Sequence, residues 1–324
     1  MLKTASFEFV EADLKRVEGR MREGMEGHNE ALAAVVAYLI TAGGKRLRPV
    51  IILLATRFGA DIDGEKAISL AAAVEMLHTA TLVHDDFIDN ALLRRGIPTL
   101  NTRWSPGATI LTGDYLFARS AALAAETENV RIIKIFSMTL MTIVNGELNQ
   151  FFNNGHLRPP TRDEYFQRIY AKTASLFAAG AETGGILAGL PEYQVEALHD
   201  YGYHLGMAFQ IMDDILDFQG DEARLGKPVA NDLRQGIATL PVLIFLEHCP
   251  DHPTVLKAVA KKYPSDDEIR AAAAEIRASG GIRGAHEEAR RLARQAQEAL
   301  IALPDNLYRA ALRDLADYAV AREV

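Results

Sequence analysis

Two short acidic segments contain the residues most able to do chemistry. Residues 85–89 read DDFID and residues 213–217 read DDILD, and each segment follows an apolar run. Residues four apart on a helix point the same way, so the first and last aspartates of each segment share a face. Clustered carboxylates beside apolar residues are unfavourable unless a cation compensates them. The predicted metal ligands are Asp85, Asp86, Asp89, Asp213, Asp214 and Asp217.

Oxygen-only ligands favour Mg²⁺, with Mn²⁺ as an alternative, over zinc. Mg²⁺ held by a few carboxylates usually completes its shell with water and phosphate oxygens. One DDxxD segment alone is easily explained as a solvated helix face. Two copies, each followed by basic residues, favour a metal site that takes a phosphorylated substrate.

The composition indicates one large folded unit. With 324 residues, 49% of them hydrophobic, and no Pro/Gly/Ser-rich linker, the chain is expected to form a single domain over residues 1–324. The single Cys249 excludes an intramolecular disulfide and fits a reducing cytosol. The start of the chain lacks the apolar core of a signal peptide, and the apolar stretch 135–144 is too short to span a bilayer. We therefore expect a cytoplasmic protein.

The charge distribution points away from nucleic acid and toward a small anion. A formal net charge of −8 argues against nucleic acid as the main partner. The positive charge is nevertheless clustered near the acidic segments, which suggests a strongly anionic small substrate. These cations are Lys45, Arg46, Arg48, Arg94, Arg95, Lys172, Lys227 and Arg234.

Helical periodicity dominates the chain, and alternating strand patterns are nearly absent. Helices are predicted for residues 49–58, 64–89, 108–126, 130–152, 162–190, 194–219, 233–248, 266–279, 282–302 and 307–321, with Asp63 as an N-cap. The repeated acidic motif suggests two helices that face each other across a central cavity. The predicted fold class is therefore an all-α bundle.

The segment Gly43-Gly44-Lys45-Arg46-Leu47-Arg48-Pro49 places cations at a helix N-terminus, where the macrodipole disfavours them. That arrangement is reasonable if an anion binds there, because free amides and guanidinium groups suit phosphate. The segment is not a Walker loop, since Arg46 stands where Ser or Thr is required. A basic surface cluster with no ligand is the open alternative.

Four of these cations are placed to meet a diphosphate. Arg94-Arg95-Gly96 begins five residues after Asp89, and Lys172 lies in an otherwise apolar helical run, where a snorkelling side chain is the alternative. Lys227 follows Asp217 by ten residues on a glycine-bearing loop that could fold over the site.

With both acidic motifs, GGKRLRP, RRG, Lys172-Thr173 and Phe209-Gln210, the chain resembles the trans-isoprenyl diphosphate synthases of the polyprenyl synthetase family over roughly residues 40–245. The resemblance implies an isoprenoid-synthase-type helical bundle and a homodimer. It also implies Mg²⁺-dependent head-to-tail condensation of an allylic diphosphate with isopentenyl diphosphate, with three Mg²⁺ per active site. An apolar product could still draw the enzyme to membranes.

The resemblance assigns roles to matching residues. Asp85, Asp89 and Asp213 match the main metal ligands, with Asp86, Asp214 and Asp217 in support. Arg94, Lys172 and Lys227 match allylic diphosphate contacts, and together with Asp85, Asp89 and Asp213 form the predicted catalytic set. Lys45, Arg48, His78 and Arg95 match the isopentenyl diphosphate site, and Thr173 and Gln210 line the reacting region. One departure is Ile237, which follows Gly236 where the family often has a second lysine.

Product length is expected from residues one turn before the first motif. Short-chain family members often carry aromatic rings at the positions that match Ala80 and Thr81, and here both are small. A long all-trans product of roughly C30 to C50 is therefore expected, because each helical turn rises by about one isoprene unit. A C20 or shorter product is the alternative. The predicted chain-length residues are Leu77, Ala80, Thr81, Phe117, Phe136 and Met141.

Other classes of function explain less of the sequence. Glu75-x-x-His78 and Glu196-x-x-His199 could belong to a di-metal carboxylate bundle, but that reading leaves the DDxxD and basic segments unexplained. A regulatory subunit of a hetero-oligomeric prenyl synthase would usually lose its acidic motifs, and both are present here. Terpene cyclases typically lack the cluster of Lys45, Arg48 and Arg95.

Overall fold

The computed structural model describes residues 8–23, 30–41, 43–60, 62–94, 96–153, 158–219, 230–260 and 264–322. The helices in chain order are α1 (Glu8–Arg22), α2 (Glu30–Thr41), α3 (Leu47–Thr56), α4 (Gly64–Ile88), α5 (Pro106–Ala125), α6 (Val130–Asn153), α7 (Arg162–Ile169), α8 (Ser175–Leu187), α9 (Glu192–Gln219), α10 (Asn231–Arg234), α11 (Leu240–His248), α12 (Pro253–Ala260), α13 (Asp266–Ala278), α14 (Gly281–Ala299) and α15 (Leu307–Val320). The strands within this described part, β1 (Leu93–Arg94) and β2 (Ile97–Pro98), form one short antiparallel hairpin. The predicted all-α class is confirmed.

Helix α4 carries the first acidic motif and is buried along most of its length. Asp63 caps its N-terminus by accepting hydrogen bonds from the backbone amides of Glu65 and Lys66, as predicted. Among the described residues, α4 is the one helix long and apolar enough to cross a membrane, with a mean hydropathy of 1.3, but 72% of its apolar window is buried inside the protein. A core helix passes the same test, so this length and composition are weak evidence for a membrane span.

The chain divides into two compact units. The first unit comprises residues 1–139, 179–199 and 302–312, and the second comprises residues 140–178, 200–301 and 313–324. Four of the five boundaries fall within helices α6, α8, α9 and α15, and the fifth, at 301/302, falls in the 3₁₀ turn Leu300–Ala302. The single-domain organisation stays a prediction.

In the first unit, buried helix α3 packs closely against the start of the 179–199 segment. A Cβ added to Gly184 would lie 2.8 Å from the Ala55 Cβ, so the glycine permits this approach. Helix α1 is fixed to α4 by polar contacts: Arg16 binds Glu65 at 2.5 Å, and Arg20 donates to Ser69 at 3.2 Å. These contacts hold α1 against α4 within the first unit.

In the second unit, one apolar cluster joins the C-terminal part of α9 to α11, α13 and α14. Its largest fully buried rings are Tyr165 on α7 and Phe218 on α9. Gly206 permits α9 to approach the segment before α8, because an added Cβ would lie 2.6 Å from the Ala174 Cα. This packing places the second acidic motif on a rigid helix.

The predicted helices differ from the structure in three ways. Helices α1, α2 and α12 were not predicted, and the predicted helix 233–248 is two helices, α10 and α11, separated by Gly236 with φ +75°. The predicted helix 162–190 contains a π-helical turn at Tyr170–Ala174. Short amphipathic helices and backbone irregularities of this kind leave weak periodic signals, since they depend on tertiary packing.

Candidate active site

The first acidic motif lies at the C-terminal end of α4. Asp89 is the C-cap residue, and its backbone amide donates to the Asp85 carbonyl at 2.8 Å. Asp85 is half-buried and Asp89 is exposed. The last turn of α4 carries no basic residue, so these carboxylates add to the negative end of the helix dipole. A cation at this helix end is therefore electrostatically favoured.

Asp86 differs from its neighbours because Arg94 binds it. The Arg94 Nε lies 2.9 and 2.8 Å from the two Asp86 carboxylate oxygens, and Nη2 lies 2.8 Å from Oδ1. Arg94 is on the hairpin, whose turn contains Gly96 with φ +76°. Asn101 donates to the Asp86 carbonyl at 2.7 Å. The hairpin therefore brings a guanidinium to the acidic end of α4.

The basic segment before α3 is joined to α4 by an ion pair. Arg46 Nη1 lies 2.7 Å from Glu75 Oε1, and Arg46 Nε lies 3.1 Å from Glu18 Oε1. Burial lowers the pKa of Arg46, but the two glutamates outweigh this effect and raise it overall. Glu75 is engaged by Arg46, which leaves the di-metal reading of Glu75-x-x-His78 without support.

A cavity in the first unit lies beside this ion pair. Its polar lining includes Arg46, Glu75, His78, Asp86 and Arg94, and its apolar lining comes mainly from α2, α4 and the segment 97–100. Lys45 is exposed and Arg48 is half-buried in the first turn of α3, and neither is among the lining residues. The structure thus brings His78 and Arg94 to one cavity, next to the segment that carries Lys45 and Arg48.

The second acidic motif lies in the last turns of α9, which also end without a basic residue. Asp213 is bound by Arg322, whose Nη1 lies 2.6 Å from Oδ1. The Asp217 carboxylate accepts the backbone amides of Asn231 and Asp232, both at 3.1 Å. Asp217 therefore also holds the segment that follows residues 220–229.

Asp214 belongs to a buried chain of hydrogen bonds. The Tyr165 hydroxyl donates to Asp214 Oδ2 at 2.7 Å, and Gln210 Nε2 donates to Oδ1 at 2.9 Å. Thr173 donates its hydroxyl to Gln210 Oε1 at 2.6 Å. Burial raises the pKa of Asp214 to about 6, although both hydrogen bonds oppose the shift. This chain orients Thr173 and Gln210, which were predicted to line the reacting region.

Lys172 and Thr173 lie on the π-helical turn, an irregularity that often marks functional positions. Lys172 Nζ lies 2.7 Å from Glu147 Oε1 on α6. Gly146 permits α6 to lie close to the π-helical turn, because an added Cβ would lie 2.6 Å from the Ala171 Cβ. Lys172, which was predicted as a diphosphate contact because it lies in an apolar run, is therefore on an irregular turn of the helix and beside an acidic partner.

The donor sets fit a hard divalent cation. All candidate ligands are carboxylates at helix C-termini, where positive charge is favoured. Within the described ranges, no three His, Cys, Asp or Glu side chains form a preformed metal cage. An ion bound by few protein ligands, with water and phosphate oxygens completing its shell, is consistent with both observations.

The predicted chain-length residues have different environments. Leu77 and Ala80 are fully buried on α4, and Phe136 is 6% exposed on α6. Thr81 donates its hydroxyl to the His78 carbonyl, and the Phe117 ring meets the His84 ring edge-on at 5.2 Å. Met141 is 62% exposed on α6, and the role of these residues in chain length stays a prediction.

Two predicted residues, Arg95 and Lys227, lie outside the described residues. The structure adds functional candidates that were not among the predicted site residues, namely Glu75, Glu147, Tyr165, Asp232 and Arg322. Burial, with Asp217 and Asp214 nearby, raises the pKa of Asp232 well above its usual range. Among these five residues, only Glu75 had a signal in the sequence, because it is an acid within the apolar run of α4.

Comparisons with known proteins agree with this arrangement. A model of the polyprenyl synthetase family matches residues 29–276. The chain is 41% identical to heptaprenyl diphosphate synthase component 2 of Geobacillus stearothermophilus, over 98% of both chains. It is 33% identical to octaprenyl diphosphate synthase of Escherichia coli (strain K12), also over 98% of both.

A crystal structure of a polyprenyl synthase from Caulobacter crescentus CB15, complexed with calcium and isoprenyl diphosphate, matches with a TM-score of 0.90 and 36% identity. The match covers 98% of this chain and 97% of that one. The calcium in that structure agrees with divalent-metal use in the family. The chain therefore belongs to the polyprenyl synthetase family and is a prenyltransferase.

Proposed function

We propose that this prenyltransferase condenses isopentenyl diphosphate with an allylic diphosphate, head to tail and in the trans configuration, to give a long-chain polyprenyl diphosphate. The observation that carries the proposal is that α4 and α9 each end in a group of aspartates with a cation nearby. Product length of roughly C30 to C50 is supported by the small residues Ala80 and Thr81, one turn before Asp85. The hepta- and octaprenyl names of the two relatives are compatible with this range.

Asp85, Asp89 and Asp213 are the proposed principal ligands of Mg²⁺, with Asp86, Asp214 and Asp217 in support. When bound, Mg²⁺ would neutralise the negative charge that develops on the leaving diphosphate. Three ions per active site are proposed from the family resemblance, and Mn²⁺ is the alternative metal. The carboxylate-only donor set supports this choice.

Arg94 and Lys172 are the proposed contacts of the allylic diphosphate, with Lys227. In the structure their charges are matched by Asp86 and Glu147, at 2.8 and 2.7 Å. These carboxylates keep the cations oriented before the substrate binds. The substrate phosphates would then replace the carboxylates as partners of the cations. Once the diphosphate leaves, the allylic cation is attacked by the isopentenyl double bond. The proton is then lost to the departing diphosphate, so no side-chain base is required.

Lys45, Arg48, His78 and Arg95 are the proposed contacts of isopentenyl diphosphate. His78 lines the cavity in the first unit, and Arg48 is in the first turn of α3, where backbone amides favour an anion. An apolar wall that excludes water protects the cation from hydrolysis. The lining of Leu82, Val83, Ile97 and Pro98 supports this role.

We propose that the active protein is a cytoplasmic homodimer. Helix α6 exposes apolar side chains at Met138, Met141, Val144 and Leu148, with exposed fractions of 56%, 62%, 42% and 44%. Such a row on one helix is typical of a protein interface. A hetero-oligomer is the alternative, because one relative is named as component 2 of its synthase. Light scattering on the purified chain alone, combined with its specific activity, distinguishes the two states.

The enzymatic test uses the purified chain with labelled isopentenyl diphosphate, farnesyl diphosphate and Mg²⁺. We expect labelled products longer than C20 that disappear when EDTA is added. Products limited to C15 or C20 would favour the short-chain alternative. The proposed activity would be contradicted if the chain is dimeric and incorporates no label, with or without added cell extract. Activity that appears only with extract would instead indicate a missing subunit.

A further inference from the structure

Arg46 lies between two proposed substrate cations, Lys45 and Arg48, but its own charge is used inside the protein. Its side chain is 10% exposed. Nη1, Nε and Nη2 contact Glu75 Oε1 at 2.7 Å, Glu18 Oε1 at 3.1 Å and the Ile40 carbonyl at 2.9 Å. A guanidinium with two carboxylate partners has little capacity left to bind a substrate phosphate.

The backbone of Arg46 is also unusual. Its φ is +51° and its ψ is +32°, in the left-handed region that residues other than glycine rarely adopt. Such a conformation persists where surrounding contacts over-determine it. The three contacts of the guanidinium, made with α1, α2 and α4, are contacts of this kind. They therefore fix the chain direction at the residue that separates Lys45 from α3.

Glu75 is the buried end of this arrangement. Its side chain is 6% exposed, and its neighbours Val74, Met76 and Leu77 on α4 are buried. A carboxylate in such surroundings is stable as an ion only when paired. Glu75 precedes His78 by one helical turn, and both line the same cavity as Arg46. The ion pair thus joins the basic segment to the face of α4 that carries His78.

We propose that Arg46 and Glu75 are positioning residues that set the affinity for isopentenyl diphosphate without touching it. The inference rests on the proposed function, in which Lys45, Arg48 and His78 contact this substrate. The pair holds the basic segment in register with His78, so that the cations meet one diphosphate group. Without the pair, the segment relaxes from the left-handed turn and the cations lose their common target.

The first experiment compares Glu75→Gln with Glu65→Gln. Glu65 is the matched control, because it also lies on α4 and binds an arginine of α1 but is 76% exposed. We expect Glu75→Gln to raise the KM for isopentenyl diphosphate about ten-fold or more, with the KM for the allylic substrate changed less than about two-fold. Equilibrium dialysis of labelled isopentenyl diphosphate should show the same loss of affinity. Equal increases in both KM values would overturn the proposal.

A second variant separates positioning from simple stability. Replacing both partners, as in Arg46→Met with Glu75→Met, removes two buried charges together and often preserves stability. We expect near-normal thermal unfolding with a KM for isopentenyl diphosphate that stays raised. A double variant in which KM recovers along with stability would show that the pair is only structural. If Glu75→Gln fails to fold, Arg46→Lys carries the same test. This change keeps the charge but loses two of the guanidinium contacts. An unchanged KM for isopentenyl diphosphate would then overturn the inference.

Arg48→Ala, measured alongside, distinguishes this inference from the proposed function. If Arg48→Ala leaves the KM for isopentenyl diphosphate unchanged, the assignment of the site itself is wrong. If Arg48→Ala raises that KM and Glu75→Gln does not, the site stands and only the positioning role fails.

Discussion

Arg322 and Asp213 form an ion pair in which a residue near the C-terminus binds a predicted metal ligand. The Arg322 side chain is 5% exposed, and its Nη2 also donates to the Phe209 carbonyl at 2.8 Å. The guanidinium carbon lies 3.9 Å from the centre of the Phe209 ring. Asp213 is thus oriented by a cation that a bound metal ion would have to share or displace.

Arg322→Met should lower the free energy of unfolding in EDTA by about 1–2 kcal/mol, because a charge-assisted contact to a half-exposed carboxylate is lost. Saturating Mg²⁺ should then stabilise this variant more than the wild type, since no guanidinium competes for Asp213. Thermal unfolding with EDTA and with Mg²⁺ measures both effects. Arg309→Met, which breaks the ion pair of Arg309 with the exposed Asp305, is the control. An equal Mg²⁺ shift in all three proteins would contradict the prediction.

Asp85→Ala and Asp213→Ala should each lower kcat by roughly a thousand-fold or more, because electrostatic stabilisation of the leaving group is usually the largest catalytic effect. Circular dichroism should show intact helices. The exposed Asp267, paired with Arg270, provides the control Asp267→Ala, which should retain wild-type turnover. Near-normal kcat in either motif variant at saturating Mg²⁺ would exclude that residue as a principal ligand.

Arg48→Ala should raise the KM for isopentenyl diphosphate by about ten-fold to a hundred-fold, which corresponds to loss of one charge-assisted contact of about 1.5–3 kcal/mol. The KM for the allylic substrate should change little. Steady-state kinetics with each substrate varied in turn supply the measurement. A similar rise for both substrates would mean that the two diphosphate sites are wrongly divided.

Tyr165→Phe should lower the free energy of unfolding by about 1–3 kcal/mol, because buried Asp214 loses one of its two donors. Denaturant titration should show a lower midpoint with an unchanged slope. Tyr203→Phe, a half-buried tyrosine change on α9, is the comparison and should have a smaller effect. Equal midpoints for wild type and Tyr165→Phe would remove the Tyr165 hydroxyl from the stabilising network.

Ala80→Phe should shorten the product to about C15 or C20, because a ring one turn before Asp85 blocks an elongating chain. Ala80 is fully buried, so some loss of stability is also expected. Product sizing with farnesyl diphosphate as primer gives the measurement. Ile301→Ala, a change at a side chain that is 74% exposed, is the control and should keep the wild-type distribution. An unchanged distribution in Ala80→Phe would show that residue 80 does not line the product tunnel.

Both acidic motifs, and the helices α4 and α9 that carry them, were predictable from the amino-acid sequence alone. Their spacing of four residues is a local property of a helix, and no knowledge of packing is needed to see that two aspartates share a face. The Asp63 cap and the start of α3 near Pro49 were predictable for the same reason. Family membership followed from motifs that are contiguous in the chain.

The pairing of the charges depends on the packing of the folded chain and was not predictable from the sequence. Arg46 meets Glu75 across 29 residues, Tyr165 meets Asp214 across 49, and Arg322 meets Asp213 across 109. No periodic pattern encodes such partners, because each contact depends on how two helices pack and on which side chains the core buries. The π-helical turn that carries Lys172 has the same origin. A buried ionisable group needs a partner. The position of that partner depends on the fold and cannot be inferred from the neighbouring residues in the chain.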